Sequence, residues 1–460
     1  MKLVYNIDTK PKQMGYWNTV VFAIQQLLAI MAATLVVPVI INSNMAEAGK
    51  DPGMSSAAAL FGAGVGTLVY QLFTKMRSPV FLGSSFAFIG SMTAAFAGAA
   101  TIGLGYLGLI LGAAFAGLVY VILSIAVKFA GVGWINRLMP VVVIGPTVTI
   151  IGLSLAGNAV GDMTKSGTGT GNSYVALLCA LVTLAVTMIC SAYGNKKLRL
   201  IPFIMGVLAG YAVAAIFTVI GMLSGNAALE IIDFTKITSL WADGITLKTF
   251  LDVDPHKFTF LNAIGGFKDF SVSYLITVLV AYAPVAFVVF AEHIADHKNL
   301  SSIIEKDLLE DPGLSRTLLG DGIGSFAGAF FGGCPNTTYG ESVGCVAISG
   351  NASTWTILYT AIGAILISFL APFVAFVNSI PSCVMGGICM ALYGFIAVSG
   401  LKMVQQVDLN QNKNLFTVSV ILIAGVGGLV LTFGQITITS IACALILGIL
   451  TNLLLKKAKE

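Results

Sequence analysis

Apolar runs of roughly 20 residues, the length a helix needs to cross the hydrocarbon of a bilayer, follow one another from Tyr16 to Leu455. With 57% hydrophobic and only 10% charged residues, the chain lacks the polar surface to cover a water-soluble globule of this size. The pattern predicts an all-α polytopic membrane protein with spans at 16–43, 55–74, 79–95, 105–128, 138–158, 173–193, 200–223, 271–297, 315–333, 337–350, 354–377, 381–401, 414–433 and 436–455. An even number, fourteen, puts both termini on one side. Eighteen of the 24 lysines and arginines then fall on the terminal side, which by the positive-inside rule makes the termini cytoplasmic. Met1 to Gly15 is basic but has no short apolar core before a small-residue cleavage site, so no removable signal peptide is expected. The loop 224–270 is external on this topology, and its aromatics (Phe234, Trp241, Phe250) predict a partly structured cap. The net charge of +4 serves topology and is no sign of nucleic-acid binding. Seven cysteines, mostly inside apolar runs and without metal-ligand spacing, predict no metal site and no disulfide framework, and no cofactor is expected.

Internal matches decide the architecture. Gly62-Ala63-Gly64-Val65-Gly66-Thr67 in the second span corresponds to Gly320-Asp321-Gly322-Ile323-Gly324-Ser325 in the ninth. Ser84-Ser85-Phe86-Ala87-Phe88 in the third corresponds to Thr337-Thr338-Tyr339-Gly340-Glu341 in the tenth, each after a proline (Pro79, Pro335). Pro140 to Gly145 and Pro381 to Gly386 open the fifth and twelfth spans with one spacing. Three matches in one order make a two-fold repeat of seven spans each. Since seven is odd, the second copy enters the membrane inverted. Inverted repeats with interrupted spans at corresponding positions are the signature of secondary transporters whose site lies where the breaks meet. The glycines themselves are explained by close helix packing.

The tenth span carries the chemistry. Pro335, Gly340 and Gly344 are poor helix residues and Thr337-Thr338-Tyr339 prefers extended backbone, so a short extended piece should feed a half-helix starting near Glu341. Backbone of this kind is tolerated at membrane depth only where protein buries it or a cavity faces it. A carboxylate inside a span is expensive and marks a pathway. Glu292 and Asp296 in the eighth span, four residues apart, lie on one helix face and look into the same cavity. No lysine or arginine occupies the interior of a predicted span, so these acids lack a basic partner within the membrane and are suited to carrying a coupling proton. His293 and His297 read as packed or interfacial residues. Carboxylates accept hydrogen bonds, and free N–H groups near Phe86 and Gly340 donate them. The ligand that fits is small, planar and neutral, with Phe86, Phe88 and Tyr339 offering ring faces. An intramembrane aspartyl hydrolase would want Gly-x-Gly-Asp. Leu318-Leu319-Gly320-Asp321 lacks the first glycine, so the chain is not expected to be an enzyme.

Asn336 to Gly344, with Gly83 to Phe88, Ala291-Glu292-His293 and Asp311-Pro312-Gly313-Leu314, resembles the nucleobase-ascorbate transporter family from Gln25 to about Leu454. The resemblance implies a core domain from residues 1–135 and 271–378 (spans 1–4 and 8–11). It also implies a gate domain from 136–225 and 379–460 (spans 5–7 and 12–14), with the external loop at 226–270. It further implies proton symport of a nucleobase, a homodimer, a lipid-embedded chain in the cytoplasmic membrane of a bacterium, and a base held between the two domains. The implied substrate set is Glu292, Glu341, Phe86, Gly340, Tyr339 and Ala33, with Glu292 and Asp296 in proton coupling. A carboxylate at 341 is similar to the uracil branch, whereas Asp296 is similar to purine carriers, so xanthine is the alternative substrate. A same-fold anion carrier is disfavoured by the acids. Gln26 and Ser342 depart from the family's usual histidine and asparagine.

Overall fold

The computed structural model describes residues 3–131, 134, 139–195, 198–242, 244–433 and 436–455. Seven of the basic residues used in the topology argument (Lys2, Arg137, Lys196, Lys197, Lys456, Lys457, Lys459) lie outside them. Eight helices among the described residues are long and apolar enough to cross a membrane. The chain is a multi-pass membrane protein. Its remaining expected spans are shorter, broken or less apolar, and each departure has a local cause.

In the first half, α1 (Tyr16–Glu47), α2 (Ser56–Phe73), α3 (Ile89–Ala97) and α4 (Ile102–Ala130) are followed by α5 (Val141–Ser154), α6 (Ala156–Asp162), α7 (Ser173–Tyr193) and α8 (Pro202–Ser224). Side-chain caps start several of them. Ser55 accepts from the Ala58 N–H, Thr101 from Leu104, and Asn172 from Tyr174. Short helices at Thr235–Thr238, Leu247–Phe250 and Thr259–Ala263 structure the long loop between α8 and α9 into a cap.

The second half runs through α9 (Val272–Ile304), α10 (Leu314–Gly332), α11 (Gly340–Ser349), α12 (Thr354–Ile367), α13 (Ala371–Ser379), α14 (Ser382–Val404), α15 (Asn412–Val426) and α16 (Ser440–Leu454). The expected continuous span 354–377 is two helices. Pro372 has no N–H to continue the first, and Leu370 is extended and bridges Leu251 of the cap. The expected span 414–433 stops at Val426. Gly427 follows, Gly428 takes φ +68°, and the chain turns into a hairpin of Leu431–Phe433 with Ile436–Ile438. Helix α9 outruns its apolar stretch because its last turns bury Leu300 and Ile304 beside Ile7, Tyr70, Val80 and Val343.

The interruptions at 3 and 10 are where the repeat places them. Strand β1 (Leu82–Ser84) pairs antiparallel with β2 (Asn336–Thr338), Gly83 opposite Thr337. Each strand therefore satisfies its backbone on the other, which lets both half-helices α3 and α11 begin inside the protein. Pro140 and Pro381 stand at the N-caps of α5 and α14, where the missing N–H costs nothing.

The paired glycines do more than thin the helices. A methyl on Gly66 would lie 2.6 Å from the Gly324 carbonyl oxygen, and one on Gly324 would lie 2.7 Å from that of Gly66. The gap also seats the Asn336 side chain, whose Nδ2 donates to the Gly62 carbonyl at 3.0 Å and which a methyl on Gly66 or Gly328 would strike. Gly66→Leu is expected to separate α2 from α10 and unseat Asn336. Overpacking of this kind costs about 1–3 kcal/mol, more where only backbone could give way. A monodisperse gel-filtration peak and unchanged thermal stability of the purified variant in detergent would contradict this.

The helices pack in two sets. Helix α2 lies against α10 and α12, α4 against α9 and α10, and α1 against α12; separately, α14 lies against α5 and α7, α15 against α5 and α16, and α8 against α7.

Candidate functional site

Between these two sets is a cavity of about 320 Å³. One wall comes from the paired breaks and α9: Ser85, Phe86, Ala87, Thr337, Thr338, Tyr339, Gly340, Glu341, Glu292, Ala295 and Asp296. The facing wall is Val148 and Ile151 of α5 with Leu392, Phe395, Ile396, Ser399 and Met403 of α14. Polar groups thus crowd one side and almost entirely apolar ones the other.

The polar wall follows from the strand pair. Where β2 ends, Tyr339 is extended and α11 begins at Gly340, with Glu341 in its first turn, where the helix dipole favours a carboxylate. Where β1 ends, Ser85 N–H still donates to the Pro335 carbonyl at 2.9 Å. Among the described residues, the next N–H on that side, Phe86, and the Gly340 N–H have no protein acceptor, so both remain available to a ligand. A methyl on Gly340 would lie 4.0 Å from Asp296 Oδ1, so the protein itself leaves room beside this N–H.

Glu292 and Asp296, one helical turn apart, both line the cavity. Asp296 Oδ2 accepts from Thr338 Oγ1 at 2.7 Å, tying α9 to β2. Among the described residues no ion pair reaches Glu292, Asp296 or Glu341. Behind Glu341, Ser342 Oγ accepts from Gln26 Nε2 at 2.6 Å and from the Phe81 N–H at 3.1 Å. The two departures from the family pattern are therefore partners of one another, and they brace the start of α11 against α1 and β1.

Other expected site residues sit differently. Ala33 is 1% exposed in the packing of α1 and does not line the cavity. Phe88 is turned away, stacked on Tyr282 with ring centroids 5.5 Å apart. Tyr339 lines the cavity, but its hydroxyl donates to the Ser84 carbonyl at 2.7 Å and its ring fills the space that a side chain at Gly83 would take. Phe86 presents its edge to Tyr393 of α14, centroids 5.9 Å apart. His293 and His297 are buried on the far side of α9, stacked 4.1 Å apart. His293 Nδ1 is 2.7 Å from Asp321 Oδ2, and His297 Nε2 is 2.8 Å from the Tyr70 hydroxyl. Asp321, considered in the sequence only for a protease motif, is thus the buried partner of a histidine. Asp311, in the loop before α10, binds Arg77 and Lys306, each at 2.8 Å, and these two cations hold its carboxyl below the usual range.

A cavity at the meeting of two inverted breaks, between two sets of membrane helices, defines a membrane transporter rather than an enzyme. The chain belongs to the nucleobase-ascorbate transporter family: the family model described as Permease family matches residues 17–433. Among curated relatives it is 36% identical to the uracil permease of Bacillus caldolyticus, over 99% of this chain and 95% of that one. It is 35% identical to the uracil permease of Escherichia coli K12, over 95% and 91% respectively. Its fold is similar to the transmembrane domain of the cyanobacterial bicarbonate transporter BicA, with a TM-score of 0.60 at 15% identity, covering 96% of this chain and 98% of that one. The murine anion transporter Slc26a9 in its inward-facing state gives 0.60 at 13% identity, covering 95% and 68%. At these identities the two structures speak for the fold alone.

Proposed function

We propose that this chain imports a nucleobase, uracil first, by proton symport with alternating access. The observation that carries the reading is the convergence of two unpaired carboxylates, Glu292 and Glu341, with the free N–H groups of Phe86 and Gly340 on one small cavity. A uracil ring carries N–H donors for the first and carbonyl acceptors for the second, in one plane. Among the described residues lining the cavity an anion would meet three acids and no cation. The relatives named as uracil permeases support the same substrate.

On this reading spans 1–4 and 8–11 form a core that carries the ligand groups, and spans 5–7 and 12–14 form a gate whose apolar wall the core slides along. Two copies pair through the gates, in the cytoplasmic membrane of a bacterium with the termini inside. The test is uptake of labelled uracil into proteoliposomes under an imposed inward proton gradient, with unlabelled uracil, xanthine, adenine, sulfate and bicarbonate as competitors. Uracil alone should compete strongly. Competition by sulfate or bicarbonate in its place would overturn the reading, and competition by xanthine would move the substrate to the purines.

A further inference from the structure

A second cavity, also about 320 Å³, lies beyond the first, and Phe86 and Ile151 line both. Its other walls include Asn44, Thr93, Ser154, Asn158 and Thr439. Asn44 sits at the end of α1 and Thr439 caps the start of α16, so the second cavity lies toward the face opposite the ends of the chain. The first cavity extends the other way, to Met403 at the last turn of α14.

Polar contacts join the two helix sets beside the second cavity, whose lining includes Asn44 and Asn158. Lys165, in the turn after α6, places its Nζ 2.9 Å from Glu47 Oε1 and 3.1 Å from Asp162 Oδ1. Ser43 Oγ donates to Asp162 Oδ1 at 3.5 Å, and Asn158 Nδ2 donates to Asn44 Oδ1 at 2.5 Å. Ser43, Asn44 and Glu47 belong to α1, in the set of helices that carries the carboxylates. Asn158, Asp162 and Lys165 belong to the set that carries the apolar wall. Among the described residues no other ion pair joins the two sets: Arg77–Asp311 and Lys306–Asp311 lie within the first, as does His293–Asp321. The sets are therefore pinned by charge at one face only, and the binding cavity extends toward the other. The hydrogen bond to Glu47 holds the Lys165 ammonium above the ordinary lysine value, so the cation persists through neutral pH.

We propose that Lys165, bound to Glu47 and Asp162, is an outer latch that holds the two helix sets together over the second cavity, and that releasing it opens that cavity as the entry vestibule. The inference rests on the alternating-access reading above. Once Lys165 is lost, Glu47 and the largely buried Asp162 face each other without a cation, which favours separation.

The experiment reads accessibility and does not depend on substrate. A reporter cysteine replaces Thr93 in the second cavity or, separately, Ser399 in the first, in a chain whose own seven cysteines are buried. A membrane-impermeant thiol reagent is applied to right-side-out vesicles for Thr93→Cys and to inside-out vesicles for Ser399→Cys. Adding Lys165→Met should speed labelling at 93 about fivefold, the change that ~1 kcal/mol produces, and slow it at 399. Lys165→Arg should restore the parent rates. Should Lys165→Met fail to fold, Glu47→Gln removes the exposed arm of the latch and is expected to act in the same direction. Unchanged labelling at 93 in either folded variant overturns the latch. The substrate reading is checked separately by adding uracil: if uracil does not protect Ser399→Cys while Lys165→Met still unlocks position 93, the latch stands and the nucleobase assignment falls.

Discussion

Glu292→Gln is expected to abolish uracil accumulation driven by an inward proton gradient while leaving weak binding. Glu292 lies deeper in its span than Asp296, has no ion-pair partner among the described residues, and shares a cavity with Asp296 and Glu341 opposite an apolar wall. Moving three negative charges through a poorly hydrated passage is costly, and taking up one proton with the base removes a charge before the core crosses. Asp296 is the weaker candidate for that proton because Thr338 already hydrogen-bonds its Oδ2. An amide at 292 can still accept from one ring N–H, so binding weakens without vanishing, but it cannot carry a proton across. Uptake into proteoliposomes with and without the gradient decides the matter. If the variant concentrates uracil as steeply as the parent, the proton travels on Asp296 or Glu341.

Glu341→Gln is the second large effect, and it should alter selectivity more than coupling. Its carboxylate stands in the first turn of α11 beside the free Gly340 N–H. Replacing it with an amide removes a charge-assisted hydrogen bond worth about 1.5–3 kcal/mol, which corresponds to roughly a 10- to 150-fold loss in uracil affinity. The amide also gains a donor, which suits a purine such as xanthine, whose five-membered ring adds an acceptor nitrogen. Calorimetric titration of the purified variant with uracil and with xanthine measures both changes. Unchanged affinity and selectivity would remove Glu341 from the site.

Much of this was legible in the chain because charge and helix-breaking residues stand out against an apolar background. Glu292, Asp296, Glu341, Pro335 and Gly340 announce themselves by being out of place in a membrane span, and the repeat located the two breaks before any contact was known. The gate-side wall was not legible. Val148, Ile151, Leu392 and Phe395 face the cavity, while residues of the same types a turn away face lipid or a neighbouring helix. Nothing in an apolar sequence tells those faces apart. Ala33 is packed within α1's neighbours and does not line this cavity, and a small apolar residue fits packing as well as it fits a binding site. The pairing of Gln26 with Ser342, and of His293 with Asp321, spans chain separations that no local pattern encodes.

The strand pair between β1 and β2 has a thermodynamic consequence for transport. The hydrogen-bonding groups offered to the ligand sit just beyond the two paired strands and on α9, which Thr338 and Asp296 tie to β2, and the opposing surface offers one polar side chain, Ser399. On the proposed movement the base keeps its partners from one face of the membrane to the other, so its intrinsic affinity is nearly equal on both sides. No carrier builds a concentration ratio from binding alone, and here the affinity does not help to release the base on either side. On the proposed symport the whole of that ratio comes from the proton that travels with the base, and the steepness of accumulation should follow the proton-motive force and be indifferent to how tightly the base is held.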